Sequence, residues 1–556
     1  MRSSADARPR ARTRLFLLAC FLLGTASLAC SLAPKAATEP IFMAPGGINF
    51  EESQPQPTAL AQFPTNTAEP AVTLPVTLDP PAEMISEVPE ATPQEPTPEP
   101  PQAPTAIPTA TPTQSVVNTT PLLYYTQAGD TLPVVSVRFG VEPEEITSPD
   151  PIPETALFNP GQLLIIPNRL ANTTSSQHLM PDSEIVYSPS AIDFDIAAFA
   201  EQSGGYLDRH TQYLASTGIN TGSQVVARVA IENSINPRIL LALLEYQSGW
   251  VYGDPATTNQ LEYPMGRVDL KEKGFYQQLA WALNQLSIGY YGWREGRLTE
   301  IELSDGVTAR LAPDLNAGTA ALQYYFAQVY DSQGWIEALD PQTGFPALYE
   351  QMFGSPWVRA QAVEPLYPPD LVQPPLSLPF APGQIWAYTG GPHGAWERDG
   401  AWAAVDFAPG SSQAGCVANG KFAMASAAGL VTRSENGMIA LDLDGDGREE
   451  TGWVLIYLHL AEKGRLPKGA WAEAGDPLGH PSCEGGYSTG THLHLARKYN
   501  GEWIVAEGPL PFVLSGWTVH AGDLPYQGTM TRGDQTVRAS ILSPSYSQII
   551  RRADDP

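Results

Sequence analysis

Basic side chains are scarce in this sequence of 556 residues. Lysine and arginine together number 31, against 59 aspartates and glutamates, which gives a formal net charge of −28 at pH 7. Recognition of nucleic acid needs a basic patch that neutralises phosphates, so this balance argues against a nucleic-acid partner. Many of the acids lie in one proline-rich stretch, where their charge keeps a linker solvated and says little about a substrate.

Long hydrophobic runs are also few. One apolar run, Leu15–Ala29, follows four arginines spread from residue 8 to residue 14. Its roughly 15 residues are too few to span a bilayer comfortably, but they suit the apolar region of a signal peptide. We therefore predict a signal peptide over residues 1–29 and an extracytoplasmic location in the cell envelope.

The end of this run, Ser27-Leu28-Ala29-Cys30, resembles a lipobox, although leucine is expected where Ser27 stands. The resemblance implies that Cys30 carries a lipid, which would tether the protein to the membrane without making it span the bilayer. Ordinary cleavage after Ala29 is the alternative, and it would give a secreted protein. The lipid is the only membrane attachment that the sequence indicates.

Cysteine is rare as well, with four residues in the chain. Cys20 and Cys30 belong to the signal region, which leaves Cys416 and Cys483. An exported protein meets an oxidising compartment, so we predict a disulfide between these two residues. Two free, buried thiols that pack as small hydrophobic side chains are the alternative.

Proline is abundant, with 54 residues, and much of the excess lies in residues 30–120. This stretch is also rich in threonine, glutamate and alanine, as in "EATPQEPTPEPPQAPTAIPTATPTQ". It cannot bury enough apolar surface to offset its chain entropy, so we predict an extended, disordered spacer. A spacer of this kind suits a protein that must reach a wall above its membrane.

Residues 121–170 carry four short motifs, and their pattern predicts a strand, a turn, a helix with Pro133 in its first turn and a second strand. The motifs are Tyr125-Thr126, Gly129-Asp130-Thr131-Leu132, Phe139-Gly140-Val141 and Asn159-Pro160-Gly161-Gln162. Together they resemble a LysM carbohydrate-binding module. The resemblance implies a small α+β fold that binds peptidoglycan glycan, and a structural module that has lost its ligand is the alternative.

Residues 183–365 have a helical pattern. Asn236 and Pro237 begin a predicted helix, and apolar residues follow at helical spacing. The segment "NSINPRILLALLEYQSGW" resembles the catalytic-helix region of lytic transglycosylases, which implies an all-α, lysozyme-like domain. An aromatic cluster further on is expected to stack on sugars. Its members are Trp281, Tyr290, Tyr291 and Trp293.

The acid of that family is missing, however. The transglycosylases have a glutamate before the serine of this motif, whereas this chain has Gln247 before Ser248. An amide cannot protonate a leaving oxygen, so the position of the general acid is vacant. We expect this domain to bind glycan or act as a scaffold, and residual cleavage through Glu245 is the alternative.

Histidine is rare too, with eight residues in all, but the segment 377–530 contains a notable group of them. His492 and His494 flank a leucine, and residues i and i+2 of a strand face the same side, so both imidazoles are expected to enter one site. His393 and Asp406 lie upstream, and His459 follows a strongly apolar run.

These residues resemble the lysostaphin/LytM type of zinc peptidase, in the branch where the first histidine lies well before the aspartate. The resemblance implies a mainly antiparallel β domain of the duplicated-hybrid-motif type, over residues 377–530. It also implies one Zn²⁺ per chain, held by His393, Asp406 and His494, a ligand set that suits zinc and leaves the fourth position for water. His459 and His492 then become the catalytic pair, with their two roles not distinguished.

Three aspartates form a second metal-like motif. Asp442, Asp444 and Asp446, followed by a glycine and a glutamate, spell D-x-D-x-D-G-x-x-E and resemble the front half of a calcium loop. Trp453 occupies the position of the closing acid. A structural Ca²⁺ and a solvated hairpin turn are therefore both open.

We predict a multidomain cell-wall hydrolase, a zinc endopeptidase that cleaves cross-links or stem peptides of peptidoglycan, with residues 531–556 as a tail. A non-catalytic, peptidoglycan-binding scaffold or hydrolase regulator is the alternative. Degenerate enzymes lose ligands, and here all five expected positions are filled, which favours the enzyme. The sequence leaves open which bond is cut and the oligomeric state.

Overall fold

In the computed structural model, the described residues are 120–410, 415–417 and 419–555. The predictions for the signal peptide, for Cys30 and for the linker up to residue 119 lie outside this part of the chain. Among the described residues, no helix is long and apolar enough to cross a membrane. The described residues belong to one compact unit.

The N-terminal module has the predicted order of strand, helix and strand. Strands β1 (Leu122–Tyr125) and β2 (Leu163–Ile166) pair antiparallel, and helix α1 (Leu132–Phe139), which lies between them in the chain, packs against the pair. Pro133 lies in the first turn of α1, and Gly140, with φ of 64°, ends the helix in a left-handed conformation. A short 3-10 turn stands where a second helix would complete a βααβ unit.

The second domain is mainly helical. Its helices are α2 (Ile196–Ser203), α3 (Tyr206–Arg209), α4 (Gly222–Asn233), α5 (Pro237–Ser248), α6 (Thr258–Glu262), α7 (Phe275–Arg294), α8 (Ala317–Ala327), α9 (Ser332–Ala338), α10 (Phe345–Phe353) and α11 (Pro356–Val363). The all-α prediction needs a correction, because two hairpins interrupt the helices. They are β3 (Thr211–Leu214) with β4 (Gly218–Thr221), and β5 (Glu300–Glu302) with β6 (Thr308–Arg310).

Three of the four aromatic residues that we expected to stack on sugars lie in the core instead, and the fourth, Trp281, is partly buried against it. Tyr290, Tyr291 and Trp293 are at most 2% exposed. Trp293 Nε1 donates to the Leu315 carbonyl (2.9 Å), and the Tyr291 hydroxyl accepts from the Trp503 amide (2.9 Å). Helix α7, which carries them, is enclosed on several sides, so its aromatic residues fill space between elements and the sugar-stacking prediction is wrong for them.

The C-terminal domain is built on antiparallel strands. Its strands are β7 (Ile385–His393), β8 (Ala404–Pro409), β9 (Ala423–Met424), β10 (Gly429–Glu435), β11 (Met438–Asp442), β12 (Trp453–Leu458), β13 (Trp471–Ala472), β14 (Pro477–Gly479), β15 (Leu493–Tyr499), β16 (Glu502–Trp503), β17 (Val513–Leu514), β18 (Trp517–Ala521), β19 (Gly528–Arg532), β20 (Gln535–Arg538) and β21 (Gln548–Ile550). The large sheet has the order β13-β10-β11-β12-β15-β8-β7-β21, with β16 paired to β15.

The predicted tail, residues 531–556, is part of this domain over its described residues, 531–555. Strand β20 pairs with β19, and β21 pairs with β7 at the edge of the large sheet. Ile549 is buried among the side chains of the sheet core. The described part of this segment therefore completes the sheet that carries His393.

The large sheet buries both of its faces. Alternate residues such as Val405, Phe407 and Leu495 fill the core of the C-terminal domain itself. Their neighbours face the other way and join the hydrophobic core of the helical domain. This second set forms a row across four strands, Ala404, Ala496, Ile456 and Ala440. Three of the four residues are alanine, which lets the helical domain approach the sheet closely.

A largely buried arginine joins the three parts of the structure. The guanidinium of Arg294, at the end of α7, pairs with Asp182 (2.9 Å) and with Glu502 (3.0 Å) in the C-terminal domain. It also donates to the Ala128 carbonyl in the N-terminal module. A second tie is the indole of Trp503, whose Nε1 donates to the carbonyl of Asn233 (3.1 Å).

Candidate active site

The residues predicted as metal ligands come from three neighbouring strands. His494 in β15 lies opposite Asp406 in β8, and His393 ends β7, opposite Ala404. His393 Nε2 and His494 Nδ1 lie 3.3 and 3.4 Å from Asp406 Oδ1, and 3.0 Å from each other. All three side chains are buried, with the residues 2 to 6% exposed.

Hydrogen bonds to backbone carbonyls fix how the two rings are presented. His393 Nδ1 lies 2.8 Å from the Gly391 carbonyl oxygen, and His494 Nε2 lies 2.9 Å from that of Ala395. A neutral imidazole has one N–H, and here each ring has a carbonyl to receive it. The opposite nitrogens then direct their lone pairs at Asp406 Oδ1, a buried oxygen that accepts no hydrogen bond.

Three lone pairs that face one another inside a protein repel unless a cation lies between them. A tetrahedral metal with bonds of about 2.0–2.1 Å has ligand-to-ligand edges of about 3.3 Å. The observed separations of 3.0 to 3.4 Å match such an edge. The donor set of two imidazole nitrogens and one carboxylate therefore fits a zinc ion.

The electrostatics of the cluster agree with a cation site. Burial raises the pKa of Asp406, but His393 and His492 lower it by more, so that the pKa lies well below its usual range. Burial likewise lowers the pKa of His393, and the Asp406 carboxylate more than offsets this. The carboxylate is thus ionised and attracts positive charge. The pKa of His494 is lowered, chiefly by burial.

Two further histidines stand beside this cluster. The rings of His459 and His492 lie 4.4 Å apart, and His492 Nε2 is 3.8 Å from Asp406 Oδ1. Each Nδ1 lies 2.8 Å from a backbone carbonyl oxygen, that of Glu484 for His459 and that of Gly490 for His492. With the protons held there, both Nε2 atoms are left with lone pairs. Burial lowers the pKa of His459 to about 3, so this ring is neutral at pH 7.

Tyr526 belongs to the site, although the sequence analysis missed it. Its ring stacks on His393, with 4.1 Å between centroids and 21° between planes. Backbone hydrogen bonds fix the segment, from the Tyr526 amide to the Pro392 carbonyl (3.1 Å) and from the Gly391 amide to the Tyr526 carbonyl (2.9 Å). The turn between β18 and β19 thus supports β7, the strand that carries His393. No motif or spacing in the sequence indicates this contact.

The predicted disulfide is present, between Cys416 and Cys483. The segment beside Cys416 is also hydrogen-bonded to Thr491, whose hydroxyl donates to the Val417 carbonyl (2.6 Å) and accepts from the Val417 amide (2.9 Å). On the other side, the Ser482 amide donates to the His459 carbonyl (2.6 Å). The disulfide therefore links a segment bonded to Thr491, the neighbour of His492, with a segment bonded to His459.

The three aspartates of the calcium-like motif do converge. Their carboxylates include oxygens that lie within 4.8 Å of one another, in the turn between β11 and β12. Backbone amides already occupy several of these oxygens, as in Asp446 N to Asp444 Oδ1 (3.2 Å) and Gly447 N to Asp442 Oδ2 (2.8 Å). This is the pattern of a hairpin turn, and a bound calcium ion stays a prediction.

Two residues singled out from the sequence, Gln247 and Glu245, and one further histidine, His480, make contacts elsewhere. Gln247 accepts a hydrogen bond from the Tyr330 hydroxyl (2.7 Å). Glu245 accepts from the amides of residues 251 and 252 after the end of α5. His480 packs on Phe422, with 3.9 Å between ring centroids. None of the three lies among the metal-binding candidates.

The five histidine and aspartate side chains open into a cleft of about 2260 Å³. Most of its lining comes from the C-terminal domain, including exposed loop residues such as Tyr487. One wall belongs to the helical domain and contains Arg228, Glu232 and Tyr276. Arg228 Nε donates to Glu232 Oε1 (3.0 Å), so these two charges neutralise each other on that wall.

Comparison with known proteins identifies relatives among proteases. Residues 178–367 match the family model described as LasA, N-terminal domain. Two curated proteins named Protease LasA, from Pseudomonas aeruginosa strains UCBPP-PA14 and PAO1, are 28% and 29% identical to the chain over 300 and 303 residues. Each alignment covers 50% of this chain and 65% of the relative, so the chain spans just under two thirds of the length of these proteins.

Solved structures with similarity to the chain include M23 metallopeptidases. One is the M23 metalloprotease pseudoalterin from the deep sea, at 22% identity and a TM-score of 0.26, covering 31% of this chain and 96% of that one. Another is the catalytic domain of lysostaphin from Staphylococcus simulans, at 23% identity and a TM-score of 0.16, covering 22% and 87%.

The sequence relatives support the prediction of a peptidase. The helical segment, for which we noted a likeness to lytic transglycosylases, matches a domain of LasA. The comparisons do not show the LysM and lysozyme-like resemblances, and both stay predictions.

Proposed function

We propose that this protein is an exported, zinc-dependent endopeptidase that cleaves peptide cross-links or stem peptides of bacterial peptidoglycan. The observation that carries the proposal is the mutual distance of 3.0 to 3.4 Å between three lone-pair-bearing ligand atoms at the base of a large cleft. The similarity to LasA proteases supports the peptidase activity.

One zinc ion would be held by His393 Nε2, His494 Nδ1 and Asp406. Among the described residues, this cluster contains no fourth histidine, cysteine or acid, which leaves a position for water. When bound, zinc supplies a water of lowered pKa and polarises the carbonyl of the scissile bond. The stacked ring of Tyr526 holds His393 in place for this task.

His459 and His492 would move the protons of the reaction. Each ring has a free Nε2 at the cleft, which suits one of them to take a proton from the attacking water. The other ring would steady the oxyanion of the tetrahedral intermediate and return a proton to the departing amine. The Nδ1 atom of each ring faces a backbone carbonyl in the same way, so neither role is assigned to one ring alone.

The sequence and the surface of the N-terminal module support the proposed substrate and location. Tyr125 and Leu123 on β1 are 61% and 63% exposed, which supports a role for this module in binding glycan. Peptidoglycan glycan and peptide are accordingly the proposed partners. The proposed location is the cell envelope, with the protein held by a lipid on Cys30 or otherwise secreted.

Digestion of purified peptidoglycan tests the proposal. The protein should hold one zinc per chain and release fragments with new amino termini, identified by mass spectrometry. His494→Ala should lose both the metal and the activity, whereas His480→Ala, outside the cluster, should keep both. A scaffold would bind the wall without creating new termini, and that result would exclude the enzyme.

A further inference from the structure

The loop between β7 and β8 carries the backbone carbonyl that lies against the ring of His494. This loop, residues 394–403, runs from the end of β7 to the start of β8. Its Ala395 carbonyl receives the Nε2–H of His494 (2.9 Å). If that carbonyl moved away, the ring could turn or exchange its proton to the other nitrogen, and Nδ1 would no longer be the free atom that faces Asp406.

The loop itself rests on the helical domain. Ala395, Ala401 and Ala403 are buried in the hydrophobic core that the two domains share. A Cβ atom placed on Gly400 would lie 3.1 Å from the Cβ of Ser287 in α7, so the loop and this helix are already in close contact. The support for the Ala395 carbonyl therefore comes from outside the peptidase domain.

The sheet is supported from the same side. The row that contains Ala404 and Ala496 lies under the helical domain, and Asp406 and His494 are each two residues away from that row on the same face. A shift of the helical domain would thus move the two strands, and with them the side chains of Asp406 and His494. Because the residues of this contact are buried in one hydrophobic core, such a shift would not be absorbed by loose side chains.

The helical domain also closes one side of the cleft. Arg228, Glu232 and Tyr276 line the same space as the catalytic histidines. If the domain left, Glu502, which is 1% exposed, would lose its ion pair with Arg294, and Lys498, which is 0% exposed, would lose its contact with Ser234. Burial of this kind is typical of a permanent interface.

We propose that the helical domain, residues 183–365, is a permanent positioning part of the peptidase centre. Through the contact of Ser287 with Gly400 it holds the Ala395 carbonyl that orients His494, and its α4 and α7 form a wall of the substrate cleft. This inference rests on the proposed function. It adds a role to the glycan binding or scaffolding that the sequence predicts for this domain.

Substitution at the contact tests the positioning role. Gly400→Ala should push the loop by a few tenths of an ångström, weaken zinc binding at least about fivefold in competition with a chelator, and lower kcat about fivefold with KM within about twofold. Ser287→Gly in the same chain should relieve the crowding and restore both values. Gly420→Ala, where a Cβ meets nothing within 4 Å, is the matched control and should change neither.

Cutting the chain between the two domains tests whether the helical domain stays bound to the peptidase domain. The connection between them is exposed at Pro369 and Asp370, where a recognition site for a specific protease can be inserted. After cutting, the two halves should co-elute in native buffer and keep their zinc and turnover within about twofold of the uncut protein. Release of the helical half, with unchanged or higher activity in the remaining peptidase, would overturn the proposal.

The two proposals fail in different ways. An uncut wild type that binds zinc but cleaves no peptide contradicts the proposed function, while the zinc affinities and the elution still decide the role of the helical domain. An active wild type in which Gly400→Ala binds zinc normally, or loses zinc without rescue by Ser287→Gly, overturns the positioning role alone.

Discussion

The buried carboxylate of Glu449 allows a quantitative prediction about stability. It lies between Arg433 in β10 and Lys498 in β15, at 3.0 Å from a nitrogen of each, and it is 3% exposed. Lys498 also reaches Ser234 of the helical domain, 3.5 Å away. Glu449→Gln would leave two buried cations without their anion, which is among the costly changes that a single substitution can make.

The pKa of Glu449 gives the size of the effect. Burial raises this pKa, but Arg433 and Lys498 lower it by more, to about 2. Against about 4.3 in the unfolded chain, the shift corresponds to about 3 kcal/mol. Because the folded pKa is the lower one, this stability is fully present above about pH 5 and is lost as the pH falls towards 2, with about half remaining at pH 3.

Unfolding in urea, measured at pH 7 and at pH 3, checks both statements. Glu449→Gln should lower the free energy of unfolding by about 3 kcal/mol at pH 7 and by about half as much at pH 3. Glu350→Gln, at an exposed glutamate, is the control and should stay within about 0.5 kcal/mol of the wild type. A loss below about 1 kcal/mol at pH 7, or one independent of pH, would refute the reasoning.

Four further predictions concern the active site and its surroundings. His459→Gln and His492→Gln should each keep the zinc and lose at least about 100-fold in turnover, and loss of metal from either would contradict the ligand set. Cys416→Ser should lower the free energy of unfolding by up to about 4 kcal/mol, measured in urea against the oxidised wild type, and an unchanged value would count against the disulfide. Tyr526→Phe should keep the zinc affinity of the wild type, whereas Tyr526→Ala should weaken it in a chelator competition; equal affinities would mean that the stacked ring does not matter. His494→Ala protein should release no anhydro-muropeptides from purified glycan, and their appearance would show that the helical domain cleaves sugars.

The sequence predicted the side chains at the centre better than it predicted their surroundings. The spacing of His492 and His494 follows from strand geometry alone, and the structure places His494 opposite Asp406 as two neighbouring strands require. The contribution of Tyr526 could not be found in this way, because its stacking on His393 depends on where a distant hairpin lies in space.

The helical domain illustrates a different limit. An aromatic residue such as Trp293 carries the same sequence signal whether it lines a groove or fills a core, and only the elements around α7 decide between them. Ala404 and Ala496 likewise look like ordinary buried strand positions. Small side chains indicate that another element approaches the strand closely. They do not indicate that this element belongs to the helical domain, which is distant in the sequence.

The junction at Arg294 has a consequence for how this protein can evolve and be engineered. The sequence suggests independent modules, each of which could be exchanged for another. Yet one guanidinium serves three of them. Replacing the helical domain would leave Glu502 buried without its cation, and replacing either neighbour would take a partner away from Arg294. The described modules should therefore melt together in a single transition and be inherited as a block.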